Sequence, residues 1–252
     1  MTKLAIIGGT GLTRMEGLTV TRREMVKTPY GAPSCPLVFG ELGGQSVAFL
    51  ARHGSSHRIP PHRVNYCANI WALHSVGITQ IIAVGAVGGI TKDCTVGAIV
   101  VPDQIIDYTY ARESTFFDGG EDPVEHIDFS YPYDETLRKA LIKGAKEAKD
   151  VSVVEQGTYG ATQGPRLETA AEIKRMAQDG CTIVGMTGMP EAALAAELRI
   201  AYACCGVVIN PAAGTDNEPV DISALPAAIS SAMENARRTL YETLQDPTLL
   251  NT

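Results

Sequence analysis

Short apolar runs recur along the chain, and between them apolar residues are spaced as on one face of a helix. The runs are rich in Val, Ile and Ala and do not alternate with polar residues, which is typical of strands covered on both faces. Strands are predicted at residues 4–7, 47–51, 81–84, 98–102, 183–186 and 203–209.

The segments between these strands predict helices, because apolar residues recur in them every three or four positions. Tyr66, Ile70 and Leu73, for example, share one face of the first helix. The predicted helices span residues 65–76, 133–148, 169–179, 190–198 and 223–244. Strands that alternate with helices predict an α/β fold with a mostly parallel, twisted central sheet flanked by helices.

The chain of 252 residues is 45% hydrophobic, which is enough to build one large core. It contains no internal repeat, low-complexity tract or Pro/Ser-rich linker, so a single domain over residues 1–252 is expected. Residues 109–132 are rich in aromatic, Gly and acidic residues and are predicted to be irregular. Long irregular segments in compact domains are often functional.

Charge and composition exclude several classes of partner. The net charge is −7 and no basic cluster is present, so a nucleic-acid partner is not expected. No apolar run approaches the ~20 residues of a membrane helix, and no secretory signal is recognisable, so a cytosolic protein without membrane attachment is expected. None of the six cysteines lies in a Cys-x-x-Cys pair, which favours small buried side chains over a zinc site.

Two glycine-rich segments follow predicted strands. Gly-Gly-Thr-Gly-Leu occupies residues 8–12 and Gly-Ala-Val-Gly-Gly occupies residues 85–89. Such turns let backbone N–H groups approach a phosphate, and Thr10 adds a hydroxyl. Residues 8–12 match neither dinucleotide-binding nor P-loop patterns, so a simple tight turn explains them equally well. Because ligands of open α/β sheets bind at the carboxyl ends of strands, one shared anion site is predicted.

A basic segment at residues 51–62 contains three of the five histidines and two arginines. Arg52 and His53 directly follow a strand, and they are predicted to bind an anion, with Arg supplying a charged fork and His a further donor. A solvated loop is the favoured interpretation of Arg58 and His62. A metal site is the competing interpretation of the histidines, but no metal is expected because no suitably spaced pair lies on a predicted helix.

Five motifs together resemble the trimeric purine nucleoside phosphorylases, and most closely the methylthioadenosine/methylthioinosine phosphorylase branch. They lie, in order, at residues 8–12, 52–54, 64–73, 163–169 and 185–192, and the similarity runs from residue 4 to about residue 215. The resemblance implies phosphorolysis of a purine nucleoside, with inorganic phosphate as co-substrate and with no other cofactor.

The resemblance also implies a phosphate pocket. It would consist of Thr10, Arg52, His53, the backbone N–H of Ala86, and Thr187. Met186 would pack against the ribose. Family members often carry a hydroxyl residue where this chain has Val84 and Gly85, and this departure removes one or two hydrogen bonds to phosphate.

Recognition of the base is expected from Leu167, Glu168 and Asn210, which stand at family positions. An ionised Glu168 can accept the N1–H of hypoxanthine, and the amide of Asn210 can meet its O6. Methylthioadenosine enzymes have Asp at the position of Asn210 and a second Asp where this chain has Ala212. A 6-oxopurine is therefore predicted, with Asn210, Glu168 and His53 as catalytic residues. Individually, Glu168 also suits a helix N-terminus and Asn210 a turn before proline.

The 5′ end of the nucleoside is expected to contact Ile222, whose apolar side chain favours a thioether over a hydroxyl. His126 resembles a family residue that reaches the 5′ end from the neighbouring subunit. A homotrimer, or a dimer of trimers, is then implied. Ordering of the irregular segment is an equal explanation of His126.

Four functions compete at this point. The first is phosphorolysis of S-methyl-5′-thioinosine, with methylthioadenosine as a further substrate, and the second is a general 6-oxopurine nucleoside phosphorylase acting on inosine and guanosine. A hydrolytic nucleosidase is disfavoured because water needs no anion pocket at Arg52 and His53. A nucleoside-binding protein without activity is disfavoured by the full set of predicted site residues.

Overall fold

A mixed β-sheet runs through the protein. The structure, a computed structural model, describes residues 2–119, 124–216 and 218–250. The strands are β1 (Leu4–Gly8), β2 (Thr19–Glu24), β3 (Leu37–Leu42), β4 (Gln45–Ala51), β5 (Gln80–Gly89), β6 (Ile99–Val100), β7 (Gln104–Asp107), β8 (Val153–Val154), β9 (Thr158–Ala161), β10 (Ile183–Gly185) and β11 (Ala201–Pro211). The helices are α1 (Tyr66–Ser75), α2 (Glu135–Glu147), α3 (Ala170–Gln178), α4 (Gly188–Glu197) and α5 (Leu225–Thr243), with short 3-10 helices at Pro61–Arg63 and Pro247–Leu250.

The sheet has the strand order β2-β3-β4-β1-β5-β10-β9-β7, and β11 pairs with β5 and leads on to β6 and β8. In the described part of the chain, parallel pairing joins β1 to β4 and β5, β5 to β11, β6 to β8, and β9 to β7 and β10. Antiparallel pairing is confined to β2–β3, β3–β4, β5–β10 and β6–β11. These findings confirm the predicted α/β fold with a mostly parallel central sheet.

The central strands β1 and β5 were correctly predicted from the sequence. Residues 4–7 and 81–84 lie in β1 and β5, whose described side chains are almost wholly buried, so their unbroken apolar runs reflect cover on both faces. The predicted strand at residues 98–102 is shorter than expected, at Ile99–Val100. Strands β7, β8 and β9 were not predicted because they are short, and β2 because it is mostly exposed and polar. Strand β3 was also not predicted, since Gly40 and Glu41 interrupt its apolar run.

Residues 85–89 are not a turn, so the prediction of a second glycine turn was wrong. They continue β5, which pairs with β11 along its whole length. A Cβ at Gly88 would lie 3.1 Å from Val184 Cγ1, and a Cβ at Gly89 would collide with the Cys94 carbonyl, so the glycines here allow close packing of strands. On the opposite edge, β1 pairs with β5 only as far as Ala83 and β10 pairs only at Gly88 and Gly89. Residues 84–87 therefore border a gap in the sheet.

The helices begin at recognisable caps. Asn65 caps α1, Asp134 caps α2, and Thr169 and Glu172 form a capping box at α3. The irregular segment is confirmed in its described part, since residues 109–119 and 124–132 contain neither helix nor strand, while residues 120–123 lie outside the described residues. All six cysteines are free and buried, as predicted. Among the described helices, none has the length and apolar character needed to cross a membrane.

Candidate active site

A cavity of about 240 Å³ opens where β1, β4, β5, β10 and β11 end or border the gap in the sheet. This location agrees with the general position of ligand sites in open α/β sheets. The cavity brings together most of the predicted site residues, namely Thr10, Arg52, His53, Ala86, Leu167, Glu168, Met186, Thr187 and Asn210.

Arg52 lines the cavity and is fixed by hydrogen bonds from its backbone and its side chain. Its backbone N–H donates to the Gly8 carbonyl at 2.9 Å, which ties the end of β4 to the end of β1. Its side chain is 1% exposed, and Nε and Nη2 donate to the two carboxylate oxygens of Glu191 at 2.6 and 2.7 Å. Nη1 donates to the Val84 carbonyl at 2.9 Å, inside the gap beside β5.

Burial opposes the charge of Arg52, but the adjacent Glu191 carboxylate outweighs burial and raises the pKa of the guanidinium above its ordinary value. Glu191 is fully buried and also accepts a hydrogen bond from the Tyr202 hydroxyl at 2.8 Å. Arg52 and Glu191 thus form a neutral, bidentate pair. Two of the five guanidinium N–H groups remain available to a ligand in the cavity.

Glu191 was missed as a functional residue, although it belongs to a motif that the sequence displays. One signal could have found it: a carboxylate inside the otherwise apolar helix α4 needs a buried partner. The sequence does not say that this partner is Arg52, which lies 139 positions away.

His53 is buried and held in one orientation. Its Nδ1 lies 2.8 Å from the carbonyl oxygen of Ile59, and because a carbonyl only accepts hydrogen bonds, the proton of the neutral ring resides on Nδ1. Burial, together with the charge of Arg52, lowers the pKa of His53 to about 4. At neutral pH its Nε2 is therefore an acceptor, which corrects the expectation that His53 supplies a donor.

The hydroxyl groups of Thr10 and Thr187 complete this end of the cavity. Thr10 follows β1, and its Oγ1 lies 3.1 Å from Nε2 of the exposed His57. Thr187 precedes α4 without capping it through its side chain. The Thr187 hydroxyl lies 3.8 Å from the position that a Cβ at Gly85 would occupy.

Glu168 and Asn210 lie at the other end of the cavity. The carboxylate of Glu168 accepts a 2.6 Å hydrogen bond from the hydroxyl of the buried Thr162. Asn210 lies on β11 directly after a register shift, and its Nδ2 donates to the Pro211 carbonyl at 2.6 Å. One amide hydrogen and Oδ1 of Asn210 remain for a ligand. Leu167 is 37% exposed at the rim.

Arg112 connects the two ends of the cavity and was not predicted. Its guanidinium donates to the carbonyls of Met186 and Met189 at 2.9 and 2.6 Å, and to those of Thr162 and Gln163 at 3.2 and 2.8 Å. The first two carbonyls flank Thr187, and the other two precede the loop that carries Glu168. No pattern could have identified Arg112, because it lies in an irregular segment and most of its partners are backbone carbonyls.

Two predicted residues do not line the cavity. Ile222 is 62% exposed, because the backbone and side chain of Ser223 both bond to the Asp221 carboxylate and the resulting turn directs Ile222 outwards. Ile222 therefore does not line the cavity, and its contact with a ligand stays a prediction. His126 is exposed, and its placement against a neighbouring subunit stays a prediction. Val220, Leu225 and Ile229, from the segment after β11 and the start of α5, line the cavity with apolar side chains instead.

Residues 3–245 match the family model described as the phosphorylase superfamily. This chain belongs to the phosphorylase superfamily. The described residues contain no group of three or more His, Cys, Asp or Glu side chains that could hold a metal ion.

Relatives with named activities lie within this superfamily. A Pseudomonas syringae pv. tomato protein named "Probable S-methyl-5'-thioinosine phosphorylase" is 51% identical over 97% of this chain and 99% of its own length. The 6-oxopurine nucleoside phosphorylase of Pyrococcus furiosus is 47% identical over 85% of this chain and 81% of its own. The structure of methylthioadenosine phosphorylase from Schistosoma mansoni in complex with adenine superposes with a TM-score of 0.90, at 31% identity, over 97% of this chain and 91% of its own.

Replacing Glu191 by Gln should lower the free energy of unfolding by about 3–5 kcal/mol, because it leaves the buried Arg52 charge without a counter-ion. Urea unfolding measures the loss. Glu135→Gln is the matched control, since Glu135 also pairs with a buried arginine, Arg138, but its own side chain is 58% exposed. That variant should lose no more than about 1 kcal/mol. Equal losses in the two variants would show that Arg52 does not depend on Glu191.

Proposed function

We propose that this protein cleaves a 5′-methylthio purine nucleoside with inorganic phosphate, giving the free purine and 5-methylthioribose 1-phosphate. S-methyl-5′-thioinosine is the proposed principal substrate, and S-methyl-5′-thioadenosine is a further one. The observation that carries the proposal is one cavity lined by Arg52, His53, Thr10 and Thr187 together with Glu168 and Asn210. The S-methyl-5′-thioinosine phosphorylase name of the Pseudomonas syringae relative supports the same reaction.

In this reaction an oxygen of phosphate bonds to the anomeric carbon as the bond to the purine nitrogen breaks. The bonding electrons leave with the purine, which gains a proton, while the phosphate that enters as HPO₄²⁻ gives up its proton. The transition state is a ribosyl cation between an anion and a base of growing negative charge. The enzyme must therefore hold phosphate in line and stabilise the departing base.

Phosphate is proposed to bind at the end of the cavity formed by Arg52, His53, Thr10, Thr187 and the backbone N–H of Ala86. Arg52 offers its two remaining N–H groups, and the threonines offer hydroxyls that no cap consumes. The gap beside residues 84–87 provides the space, since among the described residues β5 pairs there with β11 on one edge and has no strand partner on the other.

The purine is proposed to lie against Glu168 and Asn210, with Met186 beside the ribose. Thr162 fixes one oxygen of the Glu168 carboxylate, so the other can accept the N1–H of a 6-oxopurine. The remaining amide hydrogen of Asn210 can donate to O6. An adenine would present an acceptor at N1, which the Glu168 carboxylate cannot meet, and a 6-amino donor to which the Asn210 amide hydrogen cannot donate.

The 5′ substituent is proposed to meet Val220, Leu225 and Ile229, which replace Ile222 in this role. A methylthio group loses little on entering such surroundings, whereas a buried hydroxyl without a partner is costly. Cover by His126 of a neighbouring subunit, a homotrimer and a cytosolic location stay predictions.

A general 6-oxopurine nucleoside phosphorylase is the second candidate. The relative from Pyrococcus furiosus carries that name, and the contacts proposed for Glu168 and Asn210 do not depend on the 5′ substituent. The apolar wall at the 5′ end favours the methylthio nucleoside over this candidate.

The proposed function predicts the ranking of substrates. The value of kcat/KM should be highest for S-methyl-5′-thioinosine, lower for S-methyl-5′-thioadenosine and for inosine, and negligible for all three without phosphate. Release of free purine, followed chromatographically, measures it. Turnover without phosphate would indicate a hydrolase. Inosine in first place would favour the second candidate, and S-methyl-5′-thioadenosine in first place would overturn the proposed base contacts.

Asn210→Asp should increase kcat/KM for the 6-amino substrate relative to the 6-oxo substrate by on the order of 10-fold, since a carboxylate accepts from the 6-amino group. Parallel assays with the two methylthio nucleosides give the ratio. Asn235→Asp is the control, because Asn235 donates to the Gly97 carbonyl outside the cavity. An unchanged ratio in Asn210→Asp would remove Asn210 from base recognition.

Gly85→Ser should lower the KM for phosphate about fivefold, because it supplies a hydroxyl at the phosphate end for about 1 kcal/mol. The nearest atom to a Cβ at Gly85 is Thr187 Oγ1 at an ordinary 3.8 Å, so the side chain fits. Steady-state kinetics at varied phosphate measure the effect. Gly85→Ala supplies the Cβ without the hydroxyl. An equal change in both variants would locate phosphate elsewhere.

A further inference from the structure

The orientation of His53 is fixed by the loop that follows it. Nδ1 donates to the carbonyl of Ile59, and the backbone N–H groups of Arg58 and Ile59 both donate to the carbonyl of His53, each at 3.1 Å. The ring is locked to residues 58 and 59 through its side chain and its backbone together. Rotation of the ring would leave the buried Nδ1–H without its carbonyl acceptor.

The opposite ring nitrogen, Nε2, is without a protein partner among the described residues. His53 is 5% exposed and lines the cavity at its phosphate end. Because Nδ1 keeps the proton, Nε2 presents a lone pair to a ligand there. An oxygen that carries no hydrogen would meet that lone pair with its own and be repelled, whereas a hydroxyl would donate to it.

Charge cannot compensate for such a mismatch. The positive charge of Arg52 is balanced by Glu191 at 2.6 Å, and no lysine and no second arginine line this cavity in the described residues. The site therefore depends on the pattern of donors and acceptors that it presents to an anion.

We propose that this site selects an oxyanion that carries its own hydroxyl group, with Nε2 of His53 accepting the hydrogen bond from that hydroxyl. Phosphate at neutral pH always keeps at least one proton, and arsenate behaves alike. Sulfate has the same shape and charge as HPO₄²⁻ but carries no proton. His53 thus acts as the specificity-determining residue that admits phosphate and rejects sulfate. The inference rests on the proposed function for the position of the anion.

The low pKa of His53, about 4, supports this assignment, since the ring stays neutral wherever the enzyme would work. A protonated ring would donate from Nε2 and would bind sulfate as well as phosphate. Burial and the neighbouring Arg52 both oppose that state.

The test compares three anions on the wild-type protein. With methylthioinosine as nucleoside, phosphate and arsenate should support release of hypoxanthine, and sulfate should inhibit only at concentrations on the order of 100-fold above the KM for phosphate. Sulfate inhibition at concentrations close to that KM would overturn the inference and leave the proposed function intact.

His53→Gln provides the second arm, because a glutamine amide can turn its NH₂ group towards an anion. The ratio of the inhibition constant for sulfate to the KM for phosphate should fall at least about 10-fold in this variant. His74→Gln, which replaces an exposed histidine on α1, should keep the wild-type ratio. An unchanged ratio in His53→Gln would overturn the role of Nε2.

Calorimetric titration of the wild-type protein with phosphate and with sulfate, without nucleoside, separates the inference from the proposed function. Preference for phosphate over sulfate in a protein that shows no phosphorolysis would refute the function and support the anion selectivity. Equal affinities for phosphate and sulfate in a protein that does show phosphorolysis would refute the anion selectivity and support the proposed function.

Discussion

The buried pair of Arg52 and Glu191 is the interaction on which the cavity depends. It joins the end of β4 to helix α4, and its further bonds reach the Val84 carbonyl on β5 and the Tyr202 hydroxyl on β11. Four elements that are distant in the chain are thereby held around the gap in the sheet. A charge that is 1% exposed needs such a counter-ion, so the pairing of β4 with α4 follows from the burial of Arg52.

The same pairing determines how an anion can be held. A guanidinium already matched by a carboxylate attracts a dianion less than an unpaired one, so hydrogen-bond geometry carries more of the recognition. The strand edge at residues 84–87, the two threonines and the fixed ring of His53 supply that geometry. An acidic protein with net charge −7 can bind phosphate in this way without a basic surface.

The proposed recognition of the nucleoside is divided among segments that lie far apart in the sequence. The base contacts proposed for Glu168 and Asn210 come from a loop and from the end of β11, and Arg112 joins the loop to the segment around Met186. Because Arg112 bonds only to carbonyls in these contacts, it fixes the relative position of two backbones.

The sequence by itself determined the α/β fold, the central strands and the set of motifs that places most site residues in one cavity. Unbroken apolar runs and glycine-rich strand ends are local patterns. They predict β1 and β5 because burial on both faces requires an apolar or small residue at nearly every position of these strands. The tertiary structure decided the rest. It made residues 85–89 a strand, turned Ile222 outwards, paired Arg52 with Glu191 and directed the Nδ1–H of His53 to the Ile59 carbonyl. Each of these outcomes depends on a partner remote in sequence or on the path of a backbone, and a local pattern of residue types contains neither.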